Sequence, residues 1–302
     1  MTVEAPASQE SIEQPIDYAA LGRPIAGPRA FTGDWRRFWH LVFNTAVAQW
    51  KLRFFGSALG YLWQLVRPLL LFAVLYVFFT KVAQVNDTGK AAEAYDGAQL
   101  LASIVLFTFF SEATMGAVRS VVDNEALVRK IQFPRMVIPL STVLVACFNL
   151  GLNLVVVAIF TLASGVRPMW TWWEVIPIVA LLLVLATGLA LLLSALFVFL
   201  RDVQPIWEVV SQIIFYASPV IVAVDKVQEY LHGTLFHLYM LNPLAVVFQQ
   251  FRHAVITNAT PGVGKLLGSD AQIAEPVAIV VAIFFLGLYV FNRMAPKVAE
   301  DL

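Results

Sequence analysis

The chain has 302 residues, of which 60% are hydrophobic and only 13% charged, with a mean hydropathy of +0.77. Soluble domains carry about a quarter charged residues, so this composition belongs to a chain that lives in lipid. Lys+Arg and Asp+Glu balance at 20 each, which gives nucleic-acid binding no electrostatic support, and the single Cys147 excludes an intrachain disulfide.

Residues 1–33 are polar and rich in Pro, Ala and acidic side chains, with no apolar core of a signal peptide. They are expected to form a disordered cytoplasmic tail. The stretch 34–55 follows, DWRRFWHLVFNTAVAQWKLRFF. Trp35, Phe38, Trp39, Val42, Ala46 and Trp50 recur at helical spacing, and Asp34 stands where an N-cap belongs. With Arg36 and Arg37 beside Trp35 and Trp39, this predicts an amphipathic helix lying in the membrane interface. The alternative is a soluble helix packed on the cytoplasmic side of the protein.

A bilayer core takes about 20 mostly apolar residues per helix. Six segments qualify within 56–302: roughly 60–82, 98–118, 138–163, 175–200, 205–224 and 276–294. The fifth is the weakest, because it carries Ser211, Gln212 and Tyr216 and meets Pro219. The prediction is therefore an all-α polytopic membrane protein. With the N-terminus inside, the cytoplasmic segments hold thirteen Lys and Arg, Arg293 included, and the outer segments five. The positive-inside bias places both termini in the cytoplasm.

The segment between the last two spans is too apolar for a loop and too broken for a span. Gly233 and Asn242-Pro243 interrupt it. Backbone that stops at membrane depth must be buried in protein or line a wet cavity. Two short re-entrant helices over about 229–255 are expected, turning at Asn242-Pro243, with Arg252 near the outer face.

Few motifs point to chemistry. PGVGKLL, at 261–267, fails as a phosphate loop, since Ala259 and Leu266 occupy the required glycine and hydroxyl positions. Four scattered histidines and one cysteine offer no metal cluster, and no pair of acids marks a catalytic centre. Glu112 is the only carboxylate well inside a predicted span; a proton-coupling role and a structural pairing with a nearby cation both fit it. Arg67, before Pro68, either snorkels to headgroups or faces a conduit and meets an anion. Tyr61, Trp63, Trp207, Phe215 and Tyr216 neighbour polar residues and could line a path on which sugars stack.

Four stretches then carry a resemblance: KLRFFGSALGYLWQLVRPLLL from Lys51, FFSEATMGAVRSVVDNEALVRKIQFPRMVIPLS from Phe109, FLRDVQPIWEVVSQIIFYASPVI from Phe199 and LNPLAVVFQQFRHAV from Leu241. In order and at natural spacing they resemble the type-2 ABC exporter permeases of O-antigen and teichoic-acid export, the Wzm/TagG-like proteins. The resemblance implies a homodimer in the bacterial cytoplasmic membrane. It implies two copies of a separate ATPase that bind ATP and Mg, with no cofactor on this chain and no catalytic residue. It implies a polyprenyl-diphosphate-linked polysaccharide as cargo, of O-antigen, teichoic-acid or cell-wall galactan type. It further implies that about 122–134 forms a coupling helix docking on the ATPase. There Leu127, Arg129, Lys130, Phe133, Pro134 and Arg135 would make the contact, the cations pairing with acidic groups of the partner. A permease for a smaller amphiphile or drug is the alternative.

Overall fold

The computed structural model describes residues 35–54, 60, 62–78, 89–126, 134–222, 224–256, 262–268 and 270–294. Every element among them is helical. That follows from the solvent: a bilayer offers no partners to backbone N–H and C=O groups, and a helix satisfies them within the segment.

The first helix, α1, runs Trp35–Phe54, and α2 runs Leu62–Val77. The next, α3, spans Gly89–Val118 and is followed by the single turn α4, Ser120–Asp123. After it, α5 covers Val137–Ala163, and a 3-10 turn at Trp170–Glu174 leads into α6, Val175–Phe199. Then come α7, Val203–Ala217, and three short helices: α8 at Val224–Tyr230, α9 at Thr234–Met240 and α10 at Pro243–Phe251. A π-turn at Arg252–Ile256 extends α10. The last elements are α11, Val263–Leu267, a 3-10 turn at Asp270–Ile273, and α12, Ala274–Met294.

Among the described residues, four helices are long and apolar enough to cross a bilayer: Gly97–Val118 of α3, α5, the Trp170–Phe199 stretch and α12. They coincide with four of the six predicted spans. The helix in the predicted first span is shorter, at 16 residues, and residues 79–88 lie outside the described set. The predicted fifth span, 205–224, is matched by a shorter helix. Its helix α7 has 15 residues, about 22 Å at 1.5 Å per residue. It stops at Ala217 because Pro219 disfavours helix at the residue before it; Ser218 is extended, with φ −94° and ψ 157°.

The central element is α3, packed against α2, α5, α6 and α7. Its apolar window is 72% buried, against 22% for that of α12, so α12 is peripheral and presents most of its surface outward. The Thr108 hydroxyl donates to the Ile104 carbonyl and that of Thr187 to the Leu183 carbonyl, both at 2.7 Å on the preceding turn. Against the first half of α5 lies α1. It buries Phe38, Val42 and Ala46 and leaves Trp35, Trp39 and Phe43 exposed, so the aromatics of the predicted apolar face split between the protein and its surroundings. Arg36 and Arg37 are exposed beside them.

The segment after α7 folds back on the bundle. Between α9 and α10 the chain turns at Leu241 and Asn242. The Asn242 side chain accepts from the Leu244 amide at 3.0 Å, capping α10, and Pro243 occupies the first helical position. Its amide nitrogen donates to Ser218 Oγ at 3.0 Å. Leu244 to Gln249 and Phe251 are all buried. The π-turn leaves carbonyls unpaired, and the Trp170–Glu174 turn supplies donors: Thr171 Oγ1 to Ala254 O at 2.7 Å and Trp172 Nε1 to Val255 O at 3.1 Å.

Candidate conduit cleft

A cleft of about 940 Å3 opens between α1, α2, α3, α5 and α7. Its axis can be read from helix pairing. Trp207 Nε1 donates to Thr114 Oγ1 at 3.1 Å, and the Phe215 ring lies 4.9 Å from that of Phe107, so α7 runs antiparallel to α3 along the wall. Glu208 and Glu112 lie toward the start of α7 and the end of α3, and Ser211 and Gln212 follow at mid-helix, so this part of the lining is charged or polar. Toward the other end it becomes aromatic: Phe107, Phe215 and Tyr216, the last two in edge contact at 5.2 Å.

At the charged end four side chains form a chain of partners. Trp50 Nε1 donates to Asn149 Oδ1 at 2.9 Å, and Asn149 Nδ2 donates to Glu112 Oε1 at 2.9 Å. The same carboxylate oxygen pairs with Arg53 Nη1. Arg53 is 42% exposed and Glu112 17%, so the acid is the buried member and the cation the accessible one. Of the two sequence readings of Glu112, the structural pairing is the one found here. Arg67 also lines the cleft, exposed, with no hydrogen bond or ion pair among the described residues. Glu208 accepts from Gln204 Nε2 at 3.0 Å.

Of the predicted path residues, Arg67, Phe215 and Tyr216 meet in this cleft. Trp63 is exposed on α2 but is not part of the lining, and Tyr61 lies outside the described residues. Trp207 is corrected: it is 8% exposed and turned onto α3, because its indole N–H finds Thr114. Gln49, Arg53 and Gln64 are lining residues that sequence reasoning did not single out.

At the coupling segment, Leu127, Arg129, Lys130 and Phe133 lie outside the described residues. Pro134 and Arg135 are described, and both are buried. Arg135 is 1% exposed, and its Nε and Nη1 find no acceptor among the described residues. That burial lowers its pKa from the usual value, though a guanidinium stays charged regardless. Residues 134–136 are buried at the base of α5. Arg252 is half-buried where α10 passes into the π-turn.

Comparison with known proteins adds identity to this geometry. An O-antigen export system permease protein, RfbA, of Klebsiella pneumoniae is 26% identical over 83% of this chain and 91% of its own length. A second from the same species is 27% identical over the same shares. The protein of that name from Myxococcus xanthus is 24% identical over 87% of this chain and 95% of its own. Residues 41–256 match the family described as ABC-2 type transporter. That match takes in most of α1, all of α2 to α10 and the whole cleft wall, and the chain is a multi-pass membrane protein belonging to the ABC-2 type transporter family.

Proposed function

We propose that this chain is the permease subunit of an ATP-driven exporter that moves a polyprenyl-diphosphate-linked polysaccharide out across the bacterial cytoplasmic membrane. The observation that carries the reading is the graded cleft. Charged groups at one end suit a phosphate-bearing headgroup, and aromatic faces at the other suit sugar rings. The names of the relatives, O-antigen export permeases, support the same cargo class. One subunit has the cleft open along α2 and α7, where Leu62, Leu70, Val74, Ile206, Val209 and Ile213 are exposed. A second copy against that face would close it, giving a homodimer. Two separate ATPase subunits bind ATP and Mg and hydrolyse it; this chain transports.

In this reading both termini are cytoplasmic, α1 lies at the inner interface with Trp35 and Trp39 in the headgroups, and 122–134 docks on the ATPase. Six segments cross the membrane, α2 and α7 being the short ones. The α9 and α10 helices enter from the outer side and return. Inverted vesicles carrying the permease and its ATPase test it. A labelled lipid-linked glycan should become protected from externally added glycosidase only with ATP. Protection of a small amphiphile instead, with none of the glycan, would assign the chain to drug-type export.

A further inference from the structure

The cleft lining carries two arginines and two glutamates, and Arg67 is the arginine paired with neither acid. Arg53 and Glu112 neutralise each other, and Glu208 is held by Gln204. Arg67 has no counter-anion among the described residues, although it stands within the apolar helix α2. A lone cation at membrane depth is expensive and marks a place where an anion arrives. Arg53 adds a second donor group. Its guanidinium carries five N–H donors, spends Nη1 on Glu112, and remains 42% exposed.

The partner chain behind Glu112 makes Arg53 easy to release. Asn149 keeps donating to the carboxylate at 2.9 Å and is itself held by Trp50 at 2.9 Å. Glu112 would therefore not be orphaned when Arg53 turns away. Guanidinium is the group best matched to phosphate oxygens, through paired N–H bonds. We propose that Arg67 and Arg53 form a phosphate subsite at the charged end of the cleft, with Glu112 the internal anion that Arg53 gives up when a diphosphate headgroup enters. The subsite deepens the export reading and rests on it. From Glu112 to Phe107 is five residues, about 7.5 Å along α3. A diphosphate on the arginines thus places the first sugars beside Phe107, Phe215 and Tyr216.

The test uses the permease–ATPase complex in nanodiscs and a fluorescent short-chain polyprenyl diphosphate, with the matching polyprenol as the phosphate-free probe. Arg67→Gln orphans no partner, so the fold should survive it. Binding of the diphosphate should weaken about tenfold or more in Arg67→Gln and in Arg53→Gln, as expected for loss of a charged hydrogen bond. Polyprenol binding should stay as in wild type. Glu112→Gln, which keeps an acceptor for Asn149 and removes the competing charge, should bind the diphosphate more tightly. Inorganic pyrophosphate should displace the probe, which assigns the recognition to the phosphates. Equal diphosphate affinity in wild type and Arg67→Gln overturns the subsite and leaves the export reading standing. A wild type that binds diphosphate no better than polyprenol, and exports no lipid-linked glycan, overturns both.

Discussion

Gly188 on α6 and Gly287 on α12 touch backbone to backbone. A β-carbon built on Gly287 would fall 2.1 Å from the Gly188 carbonyl oxygen, and one built on Gly188 would fall 2.6 Å from Phe284 Cα. Small residues let helix backbones approach this closely in a membrane, where packing replaces the hydrophobic effect as the driving force. Either alanine must push α6 and α12 apart, at a cost of about 1–3 kcal/mol by overpacking. Gly287→Ala and Gly188→Ala should therefore lower the melting temperature of the detergent-solubilised protein, followed by fluorescence-detected gel filtration. Gly151→Ala is the control: nothing lies within 4 Å of its built β-carbon, and its melting curve should overlay wild type.

Trp207 and Tyr216 sit on the same helix and should fail differently. Trp207→Phe removes the bond to Thr114 but leaves Thr114 satisfied on the Phe110 carbonyl at 2.8 Å. The expected loss is about 0.5–1.5 kcal/mol of stability, with glycan export retained. Tyr216 is 75% exposed, so Tyr216→Ala should leave the melting temperature unchanged and slow export. The reverse pattern would remove Tyr216 from the conduit.

Arg135 gives a prediction of unusual sign. Its Nε and Nη1 are buried without acceptors among the described residues, so those two nitrogens are an uncompensated cost. An apolar side chain of similar length in place of a buried charge is often neutral or stabilising, by roughly 1–4 kcal/mol. Arg135→Met should therefore melt at or above the wild-type temperature in the isolated permease. A clear fall would mean that the side chain has partners.

Docking on the ATPase is tested by charge reversal. Replacing Arg129 and Lys130 together with Glu should abolish co-purification of the ATPase and halt export while membrane insertion stays normal. Like charges facing each other at a docking surface cost on the order of several kcal/mol. Unchanged co-purification and export would remove these residues from the contact.

Asn242→Ala should lose both the α10 cap and the bond to Ser218, together about 1–2 kcal/mol. Amide exchange should accelerate in the first turn of α10. Single cysteines along 233–255, in a Cys147→Ser background, should label in a helical alternation from outside. Labelling of Asn242 and Pro243 positions only from the cytoplasm would show a pair of full spans instead.

How much of this was legible beforehand depends on the range of the interaction. Apolar length alone located 138–163, 175–200 and 276–294 to within two residues of their helices. Pro219 and Asn242-Pro243 marked real interruptions, because proline acts on its immediate neighbours. The charged end of the cleft was out of reach: Arg53 pairs with Glu112 across 59 positions and Asn149 with Glu112 across 37. Glu112 could be flagged as an acid in need of a partner, yet nothing local names Arg53. Trp207 was misplaced because Glu208, its charged neighbour, stands one residue on and so on another face of α7, the one that lines the cleft. Only the antiparallel register with α3 reveals that its indole points inward.

The tie from Asn242 to Ser218 has a mechanical consequence for the wall it holds. Trp207 pins one end of α7 to α3, and Ser218, just past the other end, is pinned to the turn before α10. A strut fixed at both ends yields by bowing, not by swinging like a door. Its free play is then greatest midway, beside Ser211 and Gln212, where the lining is polar and offers no ring to stack on.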